Sequence, residues 1–335
     1  MSLQTVRTAD ISVAWKEAVT KYQTPNTFRS LAEIVITLTL YAAMWIAMYR
    51  SLGVPYLLTL ALSVPTALFM VRVFVVMHDC GHGSFFKSQK LNNFFGAVFG
   101  VLVFTPFFHW KNAHAQHHAT SGNLDRRGFG DVWMLTLQEY EALSPRRRFY
   151  YRAYRHPVFM FLVGAPFNFL VLHRTRFPSP GDPTRSRISV HGTTLALLGY
   201  VAGMVSLMGW KEYLLVQIPV FYIATIIGVW LFYVQHQFKN TYWQRKKNWN
   251  YVAACLLGSS FYKLPPWLSW WTAYIGIHHI HHLSSRIPFY RLPEASKDSA
   301  FDGGTTLTLW TGFESLGLRL WDEKLGRMVG FKKIT

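Results

Sequence analysis

Three histidine clusters are the residues of this chain best placed to do chemistry. They read His78-Asp-Cys-Gly-His82, His114-Ala-Gln-His117-His118 and His278-His-Ile-His281-His282. On a helix, positions i, i+3 and i+4 share one face, so each cluster aims its imidazoles at one spot. A single buried histidine is most often a satisfied core residue. Three clusters that each flank apolar segments call for a different account, and metal ligation supplies it. Eight imidazoles on three segments exceed the needs of one ion, and no cysteine or carboxylate repeats at matching spacing. Imidazole suits iron, zinc, copper and nickel alike, so ligand type alone does not select the metal. The number of ligands and the apolar setting favour a pair of irons with open positions for O2. His279 falls about 100° off the shared face of its cluster and is left out of the set.

His236 is a ninth candidate, in Val234-Gln-His-Gln-Phe238 at the end of the fourth long apolar stretch. A lone histidine at a helix end usually caps or sits at an interface. Here its depth matches that of His78, and a metal site must be built from one layer of the structure. His109, His156, His173 and His191 lie outside the patterns and read as interfacial histidines. Metal-bound imidazoles normally donate their second N–H to a carboxylate or carbonyl. Acids are scarce, so Asp79, Asp125 and Asp131 are the candidates to support the ligands, although Asp125 could equally pair with Arg126 or Arg127.

The elements that hold these residues are apolar. Of 335 residues, 51% are hydrophobic, 17% aromatic and only 15% charged, with mean hydropathy +0.14. That profile belongs to an all-α membrane protein rather than a soluble one. Four stretches reach the length of about 20 residues that a crossing needs, at 31–49, 54–77, 188–208 and 213–235. Tight turns at Arg50–Gly53 and Gly209–Glu212 make them two hairpins. Trp210 and Tyr213 suit an interfacial aromatic belt. The apolar runs 94–108 and 157–172 are too short for ordinary spans, and a lone crossing by either would split the clusters between two faces. They are expected to be interfacial or re-entrant.

Charge sets the orientation. Residues 78–187 hold fourteen Lys/Arg against six acids, and residues 236–335 hold thirteen against six. The positive-inside rule therefore places both termini and all three clusters in the cytosol. Residues 1–30 form a cytosolic segment without the apolar core of a signal peptide, and 31–335 form one integral membrane domain. Within it, 78–187 and 236–335 are expected to cap the helix ends. Arg72, inside the second stretch, is expected to snorkel to the cytosolic interface. Pro178-Ser-Pro-Gly181-Asp-Pro183 is a turn-rich loop. Cys80 and Cys255 alone make no disulfide framework. The net charge of +18 fits topology and anionic lipid headgroups, and without a basic stripe on a soluble fold it does not indicate nucleic acid. The runs Arg146-Arg147-Arg148 and Arg245-Lys246-Lys247 suit either lipid headgroups or the docking of an acidic electron carrier.

The clusters, their order and their placement after paired spans resemble the membrane fatty acid desaturases. The likeness extends to His78-Asp-Cys-Gly-His-Gly-Ser-Phe-Phe86, His117-His-Ala-Thr-Ser-Gly-Asn-Leu-Asp125, Trp230-Leu-Phe-Tyr-Val-Gln-His236, Gly258-Ser-Ser-Phe-Tyr-Lys-Leu-Pro265, Ile275-Gly-Ile-His-His-Ile-His-His-Leu283 and Arg286-Ile-Pro-Phe-Tyr-Arg-Leu292. These segments look most like bacterial acyl-lipid desaturases of the delta-5 type, from about residue 30 to the end. The resemblance implies four spans, a cytosolic cap, two Fe ions, O2 as co-substrate and a tunnel for an acyl chain, in a bacterial inner membrane. It implies an additional histidine ligand beyond the clusters, which supports His236. It also implies a separate electron donor such as ferredoxin or flavodoxin. Saturated chain, O2, two electrons and two protons would give an unsaturated chain with a cis double bond and two waters. Gly81 and Gly83 depart from relatives that carry bulkier residues, which bears on packing at the first cluster. The nearest rival is a lipid hydroxylase or ketolase of the same architecture, whose product would retain an oxygen atom. A metal transporter would place polar ligands near the membrane midplane, and these clusters lie at or beyond the span ends. A haem electron carrier would need few histidines on facing spans.

Overall fold

The computed structural model describes residues 15–128, 130–175 and 183–331. Most of the turn-rich loop at 178–183 and residues 1–14 of the N-terminal segment lie outside the described residues. Four long helices contain the expected apolar stretches: α1 (Thr27–Arg50), α2 (Tyr56–His82), α6 (Pro183–Met208) and α7 (Trp210–His236). Asn26 starts α1 by accepting a hydrogen bond from Arg29 N, the favoured N-cap arrangement. Ser51 Oγ and Thr59 Oγ1, 2.7 Å apart, staple the turn between α1 and α2. The second hairpin turns at Gly209 alone.

Helix α2 runs through Gly81 without fraying and stops at Gly83, whose φ of +69° gives the left-handed C-cap. Glycine adopts that conformation at no steric cost, so the helix ends just after His82. Between α2 and α6, helices α3 (Gln89–Leu102) and α4 (Phe107–Thr120) are bent 104° from one another. The bend is a tight one, with Phe104 at φ +59° and Thr105 N donating to Gly100 O. A basic helix α5 (Pro145–Tyr154) follows. Beyond it, 158–175 is helical with π-helical stretches at Val158–Gly164 and Asn168–Leu172.

After α7 the chain folds back over the helix ends. This region carries α8 (Tyr251–Gly258), α9 (Pro266–Trp271), α10 (His278–Leu283) and α11 (Leu309–Glu314). Five very short strands tie it together. Strands β2 (Ser260–Tyr262) and β3 (Thr305–Leu307) pair in parallel, with Tyr262 opposite Leu307. Strand β4 (Leu320–Asp322) pairs with β1 (Leu135–Thr136) in parallel and with β5 (Arg327–Val329) antiparallel. The main core is a continuous cluster joining α1, α2 and α7 to the residues under this folded-back segment, including Phe85, Phe107, Phe238, Phe289 and Phe301.

Two expectations need correction. Among the described residues five helices are long and apolar enough to cross a membrane, or up to six if the bent pair counts as one. The additional one is Val158–Thr175, which overlaps the run expected to be too short. Its π-helical turns pack more residues into each turn, so it is shorter than its residue count suggests. Arg72 does not snorkel. It is fully buried, donating to Glu33 Oε2 at 2.6 Å, to Thr37 Oγ1 at 3.1 Å and to the Trp270 carbonyl, with its guanidinium 4.4 Å from the Trp270 ring. Its acid partner stands 39 positions upstream on α1, at matching depth.

A buried charge left without its partner is far costlier than the intact pair. Glu33→Gln should therefore lower the unfolding free energy of the detergent-solubilised protein by about 3–5 kcal/mol. The double variant Glu33→Gln/Arg72→Met should regain most of that loss. Thermal melting of the three proteins checks this, and a single variant as stable as its parent would show that the pair carries no such energy.

Candidate metal centre

Helix α2 ends on His78 and His82, α4 presents His114, His117 and His118, α10 presents His278, His281 and His282, and α7 ends on His236. The fold brings all nine together. The ligand atoms of His78, His82, His114, His118 and His281 lie within 4.8 Å of one another, and so do those of His117, His236 and His282. His278 Nε2 adjoins the second group, 3.0 Å from His236 Nε2 and 3.1 Å from His282 Nε2. The His118 and His282 rings stack at 4.0 Å, where the two groups meet. Nε2 atoms of neighbouring rings are 3.0–3.3 Å apart throughout. Nitrogens held about 2.1 Å from one ion, at right or tetrahedral angles, stand about 3.0–3.4 Å apart.

Tautomers decide what those contacts are. His117 Nδ1 lies 2.6 Å from Asp131 Oδ1, and His236 Nδ1 lies 3.3 Å from the Gly258 carbonyl. Both partners are acceptors, so each ring presents an N–H from Nδ1 and turns its Nε2 toward the cluster. His117 Nε2 and His236 Nε2 face one another at 3.2 Å, the separation of two nitrogens that share one ion. The residues present thus fit a bound metal on their own geometry. Burial, reinforced by the neighbouring rings, also drives His278, His281 and His282 well below the ordinary histidine pKa. They are neutral and available as ligands.

Comparison with known proteins agrees with this site. Residues 51–308 match the fatty acid desaturase family. The chain belongs to that family. A fatty acid desaturase of Bacillus subtilis (strain 168) is 44% identical over 317 residues, covering 94% of this chain and 90% of that protein. The sn-1 acyl-lipid omega-3 desaturase (ferredoxin) of Synechocystis sp. is 29% identical over 244 residues, 67% of this chain and 62% of that protein. The sn-1 oleoyl-lipid 12-desaturase of the same organism is 26% identical over 278 residues, 79% and 74% of the two chains. The protein is therefore an oxidoreductase, a fatty acid desaturase, with a histidine cluster able to hold metal.

The supporting acids of this desaturase divide clearly. Asp79 lies with Oδ1 3.1 Å from His78 Nδ1 and accepts from Phe289 N on Oδ2 at 2.7 Å. Asp131 orients His117 as described. Asp125 does neither, because its oxygens accept from Arg245 and from Lys246 N, both at 2.9 Å. The Lys246 amide and the Arg245 guanidinium hold its carboxyl below the usual range. The sequence offered Arg126 and Arg127 as its partners; the actual one is 120 positions away. His109, His156, His173, His191 and His279 stand outside both metal groups. His279, buried against Phe261, is held down to a pKa of about 4 by burial.

Aromatic residues sit one helical turn before three of the candidate ligands: Phe74 before His78, Trp110 before His114 and Phe232 before His236. Trp110 stacks on His114 at 4.5 Å and meets Phe74 edge-on at 5.4 Å. Phe232 is 5.2 Å from both His117 and His236. The sequence reading passed over this layer, although its i, i+4 spacing to the ligands was visible. It also accounts for Gly81, where a Cβ would stand 3.0 Å from the Trp110 ring. Of the basic runs, Arg245 is held by Asp125 and Glu323, and Arg148 donates to backbone carbonyls. Among the described residues no ion pair engages Arg146, Arg147, Lys246 or Lys247, all of which are exposed.

Loss of a hydrogen-bonding partner behind a metal ligand typically costs 10–100-fold in metal affinity. Asp131→Asn should accordingly release metal to a competing chelator about 10–100-fold more readily than the parent. Asp125→Asn should behave like the parent. Equal losses in the two variants would contradict the division drawn here.

Proposed function

We propose that this desaturase inserts a cis double bond into the acyl chain of a membrane lipid, using two irons, O2 and two electrons from an external carrier, ferredoxin or flavodoxin. The gathering of nine histidines into two adjoining groups carries the reading, because each group has the close nitrogen spacing that one ion would need. His78, His82, His114, His118 and His281 would hold one ion, and His117, His236, His278 and His282 the other. The acyl-lipid names of the Synechocystis relatives support a lipid substrate, and the donor named for one of them supports ferredoxin.

The chemistry a bound iron pair supplies is the reduction of O2 to two waters, with one hydrogen taken from each of two adjacent methylenes. The protein's part is position. Asp79 and Asp131 fix the rings of His78 and His117. Phe74, Trp110 and Phe232 give the histidine layer an apolar floor against which an alkyl chain can lie. An acyl chain has no polar marks, and binding separates one methylene from the next by only about 1–3 kcal/mol. The position of the double bond must therefore come from how far the chain runs past that floor.

Topology follows from the same convergence. The ends of α2 and α7 meet at one level, since His236 and His78 belong to adjoining groups. With α6 and α7 each crossing once, the segment between α2 and α6 must begin and end on one face. Neither 158–175 nor the bent pair then crosses alone, which supports four spans. The excess of Lys/Arg in 78–187 and 236–335 supports a cytosolic metal centre under a cytosolic cap, in a bacterial inner membrane. Arg146, Arg147, Lys246 and Lys247 would meet an acidic donor or lipid headgroups, while Arg148 and Arg245 hold the cap together.

Expression in a host that lacks unsaturated fatty acids should yield lipids with acyl chains short of two hydrogens, read by mass spectrometry. A product that has gained oxygen would instead indicate a hydroxylase. Purified protein should carry about two irons per chain, and one firmly bound zinc would overturn the two-iron reading. His117→Ala, His236→Ala and His281→Ala should each abolish product, whereas His173→Ala should not. Full activity and metal content in His236→Ala would remove the ninth ligand.

A further inference from the structure

Two short helices of the folded-back segment carry large exposed aromatic side chains. Trp267 on α9 is 59% exposed; on α11, Trp310 is 81% and Phe313 52% exposed. Single exposed apolar residues are ordinary on a protein surface. Three observations set these apart. The stretches 264–275 and 303–313, which contain most of both helices, hold no Asp, Glu, Lys or Arg at all. Both helices leave the same end of one ribbon, since α9 follows β2 and α11 follows the parallel strand β3. And both descend alongside the spans rather than lying over their ends.

The depth can be measured on the spans themselves. Phe313 stacks on Trp230 of α7 at 5.3 Å. From 230 to 236 is six residues, so this contact lies about 9 Å below the histidine layer. Trp270 and Trp271 meet Phe69 of α2 edge-on at 6.2 and 5.8 Å. From 69 to 78 is nine residues, or about 13 Å. Helix α7 has 27 residues and is about 40 Å long, against a hydrocarbon core of about 30 Å. Some 10 Å is left for the two ends together. Contacts about 9–13 Å from the inner end therefore lie at the rim of the hydrocarbon or just within it. That is the level at which tryptophan concentrates and at which interfacial helices sit.

We propose that α9 and α11 form a lipid-docking surface seated in the cytosolic leaflet, with Trp267, Trp310 and Phe313 covered by lipid acyl chains. This goes beyond the desaturase reading and does not require it, because it concerns where the chain meets the bilayer. The ribbon hangs the two helices across α2 and α7, the spans that carry His78 and His236. The surface thus lies on a flank of the metal centre that the bilayer can reach.

Nitroxide labels on the full chain test it. The native Cys80 and Cys255 are both buried, so cysteines introduced by Trp267→Cys and Trp310→Cys can be labelled selectively. Lys324→Cys, at an exposed charged position in the turn between β4 and β5, serves as the water reference. In vesicles of phosphatidylethanolamine and phosphatidylglycerol, electron paramagnetic resonance power saturation compares collisions with apolar O2 and with a water-soluble nickel chelate. Labels at 267 and 310 should favour O2 by several-fold over the label at 324. Phe313→Cys, measured likewise, guards against a poorly folded Trp310→Cys. Labels on both helices that saturate with the nickel chelate as 324 does would overturn the proposal. Such behaviour on one helix alone would overturn the docking surface as drawn, because it needs both. Activity enters neither outcome, so failure here is distinct from failure of the desaturase reading.

Discussion

Nine imidazoles gathered into two adjoining groups, with neighbouring Nε2 atoms 3.0–3.3 Å apart, are the constraint on which the rest of this structure depends. The arrangement holds only if each contributing helix places its histidines at one level. Gly83 ends α2 one residue after His82, and α7 ends on His236 itself. The bent pair turns α4 so that His114 and His118 face His78 and His82, while His117 faces His236. Helix α10 must come from above. It does so after a sharp turn in which Ala273 and Tyr274 both adopt positive φ. Two consecutive non-glycine residues in that region are strained, and strain of this kind gathers at functional sites.

The scarcity of acids makes their placement informative. Sixteen Asp and Glu serve the whole chain, and two of them, Glu33 and Asp79, link the long helices to the segment after α7. Glu33 neutralises Arg72, Arg72 holds the Trp270 carbonyl and faces the Phe289 ring at 5.3 Å, and Phe289 N donates to the carboxylate that orients His78. The path runs from α1 through α2 into the folded-back segment and ends on a ligand. A buried ion pair is weak evidence for stability as such, since a well-packed apolar pair can do as well. Its better attested use is to fix one register among several. Here it fixes how the segment after α7 sits on α1 and α2, and so where Asp79 points.

The histidine clusters and the long apolar helices were legible because periodicity and hydropathy are local. Each cluster repeats with the helical period, and each span is a continuous apolar run, so nothing distant had to be known. What sequence could not resolve was pairing across the chain. Asp125 had two arginines next to it and bonded a third, Arg245, 120 positions away. Arg72 looked like a snorkelling residue because its acid lies on another span. A Glu and an Arg at matching depth in neighbouring antiparallel stretches was nonetheless a usable signal. The run 157–172 was judged by its length and by the need to keep the clusters on one face, and neither argument shows the π-helical turns that it contains. The aromatic layer below the histidines was legible and was missed, because residues inside apolar spans look alike until the ligands give them a phase.

A centre at the end of the spans, rather than at their middle, follows from what must reach it. On the proposed function, an acyl chain arrives from hydrocarbon and electrons from a carrier in water. A site at the midplane would close out the carrier, and one fully in the cap would require the chain to leave the bilayer, at about 0.8 kcal/mol per methylene. The rim is the one level open to both. The molecule is graded to match along the spans. Phe74, Trp110 and Phe232 face the histidines from the apolar side, and Asp131 and the exposed cations of the cap lie on the wet side. Charge, aromatic content and histidine position thus vary together along one axis, and on the proposed topology the boundary between the two solvents falls on the imidazoles.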